Sequence, residues 1–90
     1  MNYNNIIAEY FGSLLLVLSV FASGGNALFI GLTLSGILYV SGKNNPGNVN
    51  PAVSIGMYFK GKLSLQELIA LIVAQLLGGV SSVYIFKALA

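Results

Sequence analysis

The sequence predicts an all-α membrane protein with three transmembrane helices and a shorter fourth helix set behind a polar segment. Three observations carry that prediction. Of the 90 residues, 57% are hydrophobic and 7% charged, with a mean hydropathy of +0.88, which leaves too little polar surface to coat a water-soluble globule of this size. Residues 10–42 contain no Asp, Glu, Lys or Arg, a length that suits two spans joined by a tight turn. The breaks in the apolar pattern fall where turns and helix caps belong.

The first span is expected over about residues 5–22. A single helix through residues 10–42 would overshoot a hydrocarbon core of about 30 Å by about 20 Å. The "SGGN" of residues 23–26 supplies turn residues at the point where the chain must reverse. A second span follows over about residues 27–42, short against the roughly 20 residues of an ordinary crossing. The third is expected over about residues 65–88. Its start is marked by Ser64 and Glu67, whose S-x-x-E spacing is that of a capping box ahead of a long apolar run.

Residues 43–62 remain. The stretch "GKNNPGNVNP" carries two prolines, two glycines and four asparagines, a composition that favours turns and extended backbone over helix. From Pro51 the chain turns apolar again for nine residues, "PAVSIGMYF". Asn50 as N-cap and Pro51 at the first helical position make a sound helix start. Nine residues give about 13 Å of helix, roughly half a bilayer core. Lys60 and Lys62 at the far end complement the negative helix C-terminus and suit the headgroup region. Length and capping fit two arrangements equally: a re-entrant half-helix ending near the midplane, or an interfacial helix behind a polar loop.

Several functions are excluded early. Cysteine and histidine are absent, which removes disulfides, thiol chemistry and most transition-metal sites. No nucleophile with a base and no phosphate-binding loop is present, so neither an enzyme nor a cofactor is expected. The net charge of +2, from four lysines against two glutamates, is too small to suggest a nucleic-acid partner. The N-terminal "MNYNNIIAEY" lacks the basic region of a cleavable signal peptide.

The segment "GNVNPAVSIG" resembles the first signature loop of the aquaporin and glycerol-facilitator family, the major intrinsic proteins. Asn50, Pro51 and Ala52 match its Asn-Pro-Ala motif. The flanks agree in order: "AEYFGSLLLVL" with Glu9 and Gly12 resembles the family's first helix, "IGLTLSG" with Gly31 the second, and "AQLLGG" with Gln75 and Gly78 the third. The resemblance implies three transmembrane helices plus one re-entrant half-helix over about residues 43–59, half of an aquaporin-like fold. It also implies a passive channel for water or small neutral solutes such as glycerol. In that reading Asn50 offers its amide N–H to the solute, and the carbonyls of Gly47, Asn48 and Val49 form a ladder of acceptors. Glu9 and Gln75 would hold the backbone N–H groups of the loop.

The chain also departs from the family. Asn48 stands where many members have histidine, and Pro46 replaces a common glycine. Val53 occupies the place where the family's second loop carries a filter arginine, and Ile30 falls where the second helix often contributes a filter residue. A pore built on these positions would be more apolar and less selective among small neutral solutes. Family members contain two inverted repeats, and this sequence resembles the first alone, so a channel implies oligomerisation, with an antiparallel homodimer as one form. A non-conducting or modulatory membrane protein, or a fragment of a full-length channel, is the alternative. Taken without the resemblance, Glu9 admits a solute or proton-coupling role, or a position snorkelling to the interface. Gly12, Gly31, Ser35, Gly78, Gly79 and Ser82 read most simply as close helix crossings, with pore lining or subunit contact as the alternative.

Overall fold

A computed structural model describes residues 3–42 and 49–90. Four helices follow one another: α1 (Tyr3–Ser23), α2 (Ala27–Ser41), α3 (Pro51–Phe59) and α4 (Leu65–Leu89). No strand occurs among the described residues.

Local chemistry sets the ends. After α1, Gly24 takes a φ of 66°, and the N–H groups of Gly25 and Gly24 reach back to the carbonyls of Val20 and Phe21 at 3.0 and 3.3 Å. That pair of bonds is a Schellman ending, which needs a left-handed residue and so favours glycine. The Asn26 side chain then accepts from Phe29 N–H at 2.9 Å and caps α2. Helix α3 ends in the same way, with Gly61 at φ 83° and bonds from Lys62 to Met57 and from Gly61 to Tyr58. The capping box at the start of α4 is formed in both directions. Ser64 Oγ accepts from Glu67 N–H at 3.1 Å, and a Glu67 carboxylate oxygen accepts from Ser64 N–H at 3.0 Å.

Helices α1 and α4 form the main packing unit. Their contacts advance together along both helices, from Glu9 with Gln75 through Tyr10 with Ser81 to the Phe21 and Phe86 rings at 5.6 Å, so the two run parallel. Gly78 makes the approach possible. A Cβ there would collide with the Tyr10 carbonyl oxygen and lie 3.0 Å from Leu14 N. The Tyr10 hydroxyl donates across the same crossing to Ser81 Oγ at 2.7 Å. Small residues at a helix crossing let backbones touch, the packing mode available where lipid gives no hydrophobic drive to associate.

Helix α2 packs on α1 alone among the helices, and none of its residues is buried. An outward-facing apolar groove of about 860 Å³ runs between α1 and α2, with Phe11, Gly12, Leu15, Phe29, Leu32 and Ile37 among its walls. Only α1 and α4 have the length and apolar composition of ordinary spans among the described residues. The 15 residues of α2 cover about 22 Å, because its caps at Asn26 and Gly42 stop it at both ends. Helix α3 lies antiparallel against the first half of α4, joined to it by the short turn through Gly61.

Candidate functional site

The site grows from the start of α3. Asn50 has extended backbone angles (φ −142°, ψ 119°) and its Oδ1 accepts from Ala52 N–H at 2.8 Å. Pro51 at the first position of the helix has no N–H to leave unsatisfied. A helix cap requires the amide oxygen inward, so the Asn50 Nδ2 group points away from the helix. Asn50 is exposed, as is Ala52, while Pro51 and Val53 are half-buried.

Val49, just before Asn50, reverses the chain. Its φ is 53°, in the left-handed region that β-branched residues rarely enter, at a cost on the order of 1–3 kcal/mol. Two contacts hold it there. Its N–H donates to Glu9 Oε2 at 2.8 Å, and its side chain, 4% exposed, seats against Gly12. A Cβ on Gly12 would lie 2.5 Å from Val49 Cγ1 and 3.1 Å from Ile37 Cγ2. Ser13 Oγ also sits 3.5 Å from the Val49 carbonyl oxygen, at the outer limit of a hydrogen bond.

Glu9 is fully buried and accepts a second bond on the same oxygen, from Gln75 Nε2 at 3.0 Å. Gln75, itself 3% exposed, donates from the same nitrogen to Ser54 Oγ at 2.8 Å. A carboxylate accepts only, so the orientation of the Gln75 amide is fixed by its neighbours. The network joins α1, the Val49 turn, α3 and α4. It lies deep in the helix packing: Gln75 stands about 15 Å along α4 from Leu65.

The structure therefore brings together Glu9, Gly12, Val49, Asn50 and Gln75. Gly47 and Asn48 lie outside the described residues. Ile30 is half-buried on α2. Gly12 and Gly78 stand at close approaches, but Gly31 does not: it is exposed, and a Cβ there would meet nothing within 4 Å. Gly31 lies on the face of α2 turned away from α1, so within a single chain it meets no other described helix. Sequence reasoning missed Ser54 and Ser13. The available signal for Ser54 was the one serine of α3, a turn inside a mostly apolar nine-residue helix. Among the described residues no group of His, Cys, Asp or Glu could hold a metal ion.

With this geometry in hand, the chain was compared with known proteins. It matches the model of one family, major intrinsic protein, over residues 1–90. The chain belongs to the major intrinsic protein family. Aquaporin Z of Brucella melitensis biotype 1 is 34% identical over 101 residues, which cover 97% of this chain and 44% of that protein. The probable aquaporin PIP2-7 of Oryza sativa subsp. japonica is 38% identical over 63 residues, 70% of this chain and 22% of the relative. Aquaporin Z of Photorhabdus laumondii subsp. laumondii is 38% identical over 56 residues, 62% of this chain and 24% of the relative. The chain thus spans less than half the length of these relatives. No solved structure matches it. As a major intrinsic protein it is an integral membrane protein with a helical membrane fold, and it is not an enzyme.

Proposed function

We propose that this chain forms a passive membrane channel for water and small neutral solutes such as glycerol, with Asn50 as the side-chain donor that meets the solute. The observation that carries the reading is the start of α3. The Asn50 oxygen is committed to the helix cap, its Nδ2 group faces outward, and the preceding residue is held in a strained reversal by a buried carboxylate. Irregular backbone at membrane depth is tolerated where it is buried in protein or lines a wet cavity. In this reading water or a polyol bonds to the Asn50 amide and to the loop carbonyls, and the positive end of α3 opposes cations. In this reading residues 1–90 form a single aquaporin-like half-repeat, with α3 as the re-entrant half-helix and α1, α2 and α4 as spans. Glu9 and Gln75 act as its scaffold, and Gly47, Asn48 and Val49 supply acceptors. Val53 and Ile30 give an apolar filter. The groove between α1 and α2 reaches Gly12, against which Val49 sits.

A half-repeat needs a second half to enclose a path. An antiparallel homodimer supplies it by bringing two α3 N-termini together at the midplane, with water and the Asn50 amides between the like-signed helix ends. The test is osmotic swelling of proteoliposomes containing the purified full chain. Asn50→Leu is expected to insert normally and to abolish flux; equal swelling rates for wild type and variant would remove Asn50 from the path. A second reading is favoured by the coverage of the relatives, of which this chain spans 44% or less: a non-conducting or modulatory subunit, or part of a longer channel. Wild-type proteoliposomes that swell no faster than empty ones would favour it.

A further inference from the structure

Ser54 is the only buried residue of α3, and it is fully buried. A hydroxyl in that position has to be satisfied, since desolvating it without a partner is unfavourable. Its Oγ accepts from Gln75 Nε2 at 2.8 Å, and that nitrogen also donates to Glu9 Oε2. Glu9 Oε2 in turn accepts from Val49 N–H. One continuous set of hydrogen bonds thus grips the chain on both sides of Asn50, at Val49 just before it and at Ser54 one helical turn after it. The Ser54 N–H meanwhile donates to the Asn50 carbonyl at 2.9 Å, closing that first turn. The other inward residues of this nine-residue helix, Pro51, Val53, Met57 and Tyr58, are only half-buried. A polar anchor at its one fully buried position fixes the helix's roll about its axis.

We propose that Ser54 is a positioning residue for Asn50: through Gln75 it sets the rotation of α3, and so the direction in which the Asn50 Nδ2 group faces. The proposal deepens the channel reading and rests on Asn50 being the solute-facing donor. It predicts that the hydroxyl matters more than the size of the side chain.

The test reads position and flux separately on the 90-residue chain. The side-chain amide resonances of Asn50, assigned by their loss in Asn50→Leu, are recorded in lipid nanodiscs, and osmotic swelling is measured in proteoliposomes. Ser54→Ala is expected to shift the Asn50 amide resonances and to lower flux several-fold, and Ser54→Thr to restore both toward wild type. Gln75→Leu is expected to produce the same shift, with Ser54→Ala adding nothing in the Gln75→Leu background. Unchanged Asn50 resonances in Ser54→Ala would overturn the proposal. Additive effects with Gln75→Leu, or a Ser54→Thr variant that behaves like Ser54→Ala, would overturn it too. If Ser54→Ala fails to fold, Ser54→Cys takes its place, since a thiol fits the site but accepts hydrogen bonds weakly; unchanged resonances there would likewise overturn it. A wild type without flux would sink the channel reading alone, leaving the resonances to decide on Ser54.

Discussion

At the scale of single residues, the site depends on one buried oxygen. Glu9 Oε2 accepts from both the Val49 N–H and the Gln75 amide, and bonds to a charged acceptor are stronger than neutral ones. Glu9→Gln keeps the shape but turns half of the group into a donor. A buried partner left unsatisfied costs about 1–3 kcal/mol, and the Val49 N–H loses an acceptor that holds its left-handed backbone in place. The variant is therefore expected to melt at a lower temperature in detergent than wild type. An unchanged melting temperature would show that the Val49 reversal holds without the carboxylate. Part of this site was legible in the sequence. Asn50 and Pro51 announce a helix start by residue type alone, and the resemblance pointed to Glu9 and Gln75. Two features were not legible. Nothing in periodicity marks a valine for the left-handed region, because that conformation is imposed by Glu9 and Gly12 from 40 and 37 positions away. The Ser54 contact depends on how α3 lies against α4, which local sequence does not encode.

At the scale of elements, the helix order and the turns follow from local chemistry: glycines where Schellman endings need left-handed residues, Asn26 and Ser64 as caps, and Glu67 completing its box. Local reading does not say which small residues carry a crossing within a single chain. Gly12, Gly31 and Gly78 look alike in sequence, yet only Gly12 and Gly78 face another part of the chain. Gly78→Ala is expected to push α4 off α1, because the new methyl meets the rigid backbone of Tyr10 and Leu14 rather than a side chain that can move. Overpacking of that kind costs about 1–3 kcal/mol. Gly31→Ala, with open space at the site, is expected to leave the melting temperature of the monomer in detergent unchanged or to raise it slightly, since alanine is the better helix former by about 1 kcal/mol. Thermal unfolding of both variants checks the contrast. A larger loss for Gly31→Ala would mean that α2 packs on something other than α1.

At the scale of the whole molecule, charge is arranged along α4. Lys60 and Lys62 are exposed at the turn leading into α4, and Lys87 is exposed in its last turn. With so few charges the positive-inside bias is slight, and small changes can flip orientation. An antiparallel dimer needs both orientations in one membrane. Single cysteines placed near each terminus are therefore expected to label partially from either side of intact cells with an impermeant reagent. Lys60→Gln with Lys62→Gln should shift the proportions. Labelling of each site from one side only would eliminate the antiparallel pore. The span of the buried network also imposes an order on synthesis. Glu9 enters the membrane with α1, while its two donors lie 40 and 66 positions later. At about 5–20 residues per second, the ribosome makes Gln75 roughly 3–13 s after Glu9. For the first roughly 2–8 s of that interval Glu9, two turns inside α1, has neither the Val49 nor the Gln75 donor, and an acid there costs less to insert than the about 2.5–3.5 kcal/mol of one at mid-helix. A ribosome-arrested chain ending after α2 is thus expected to insert α1 less completely than the same chain with Glu9→Leu. The same chain extended through α4 should lose that difference, because Gln75 on α4 supplies a donor to the Glu9 carboxyl on α1.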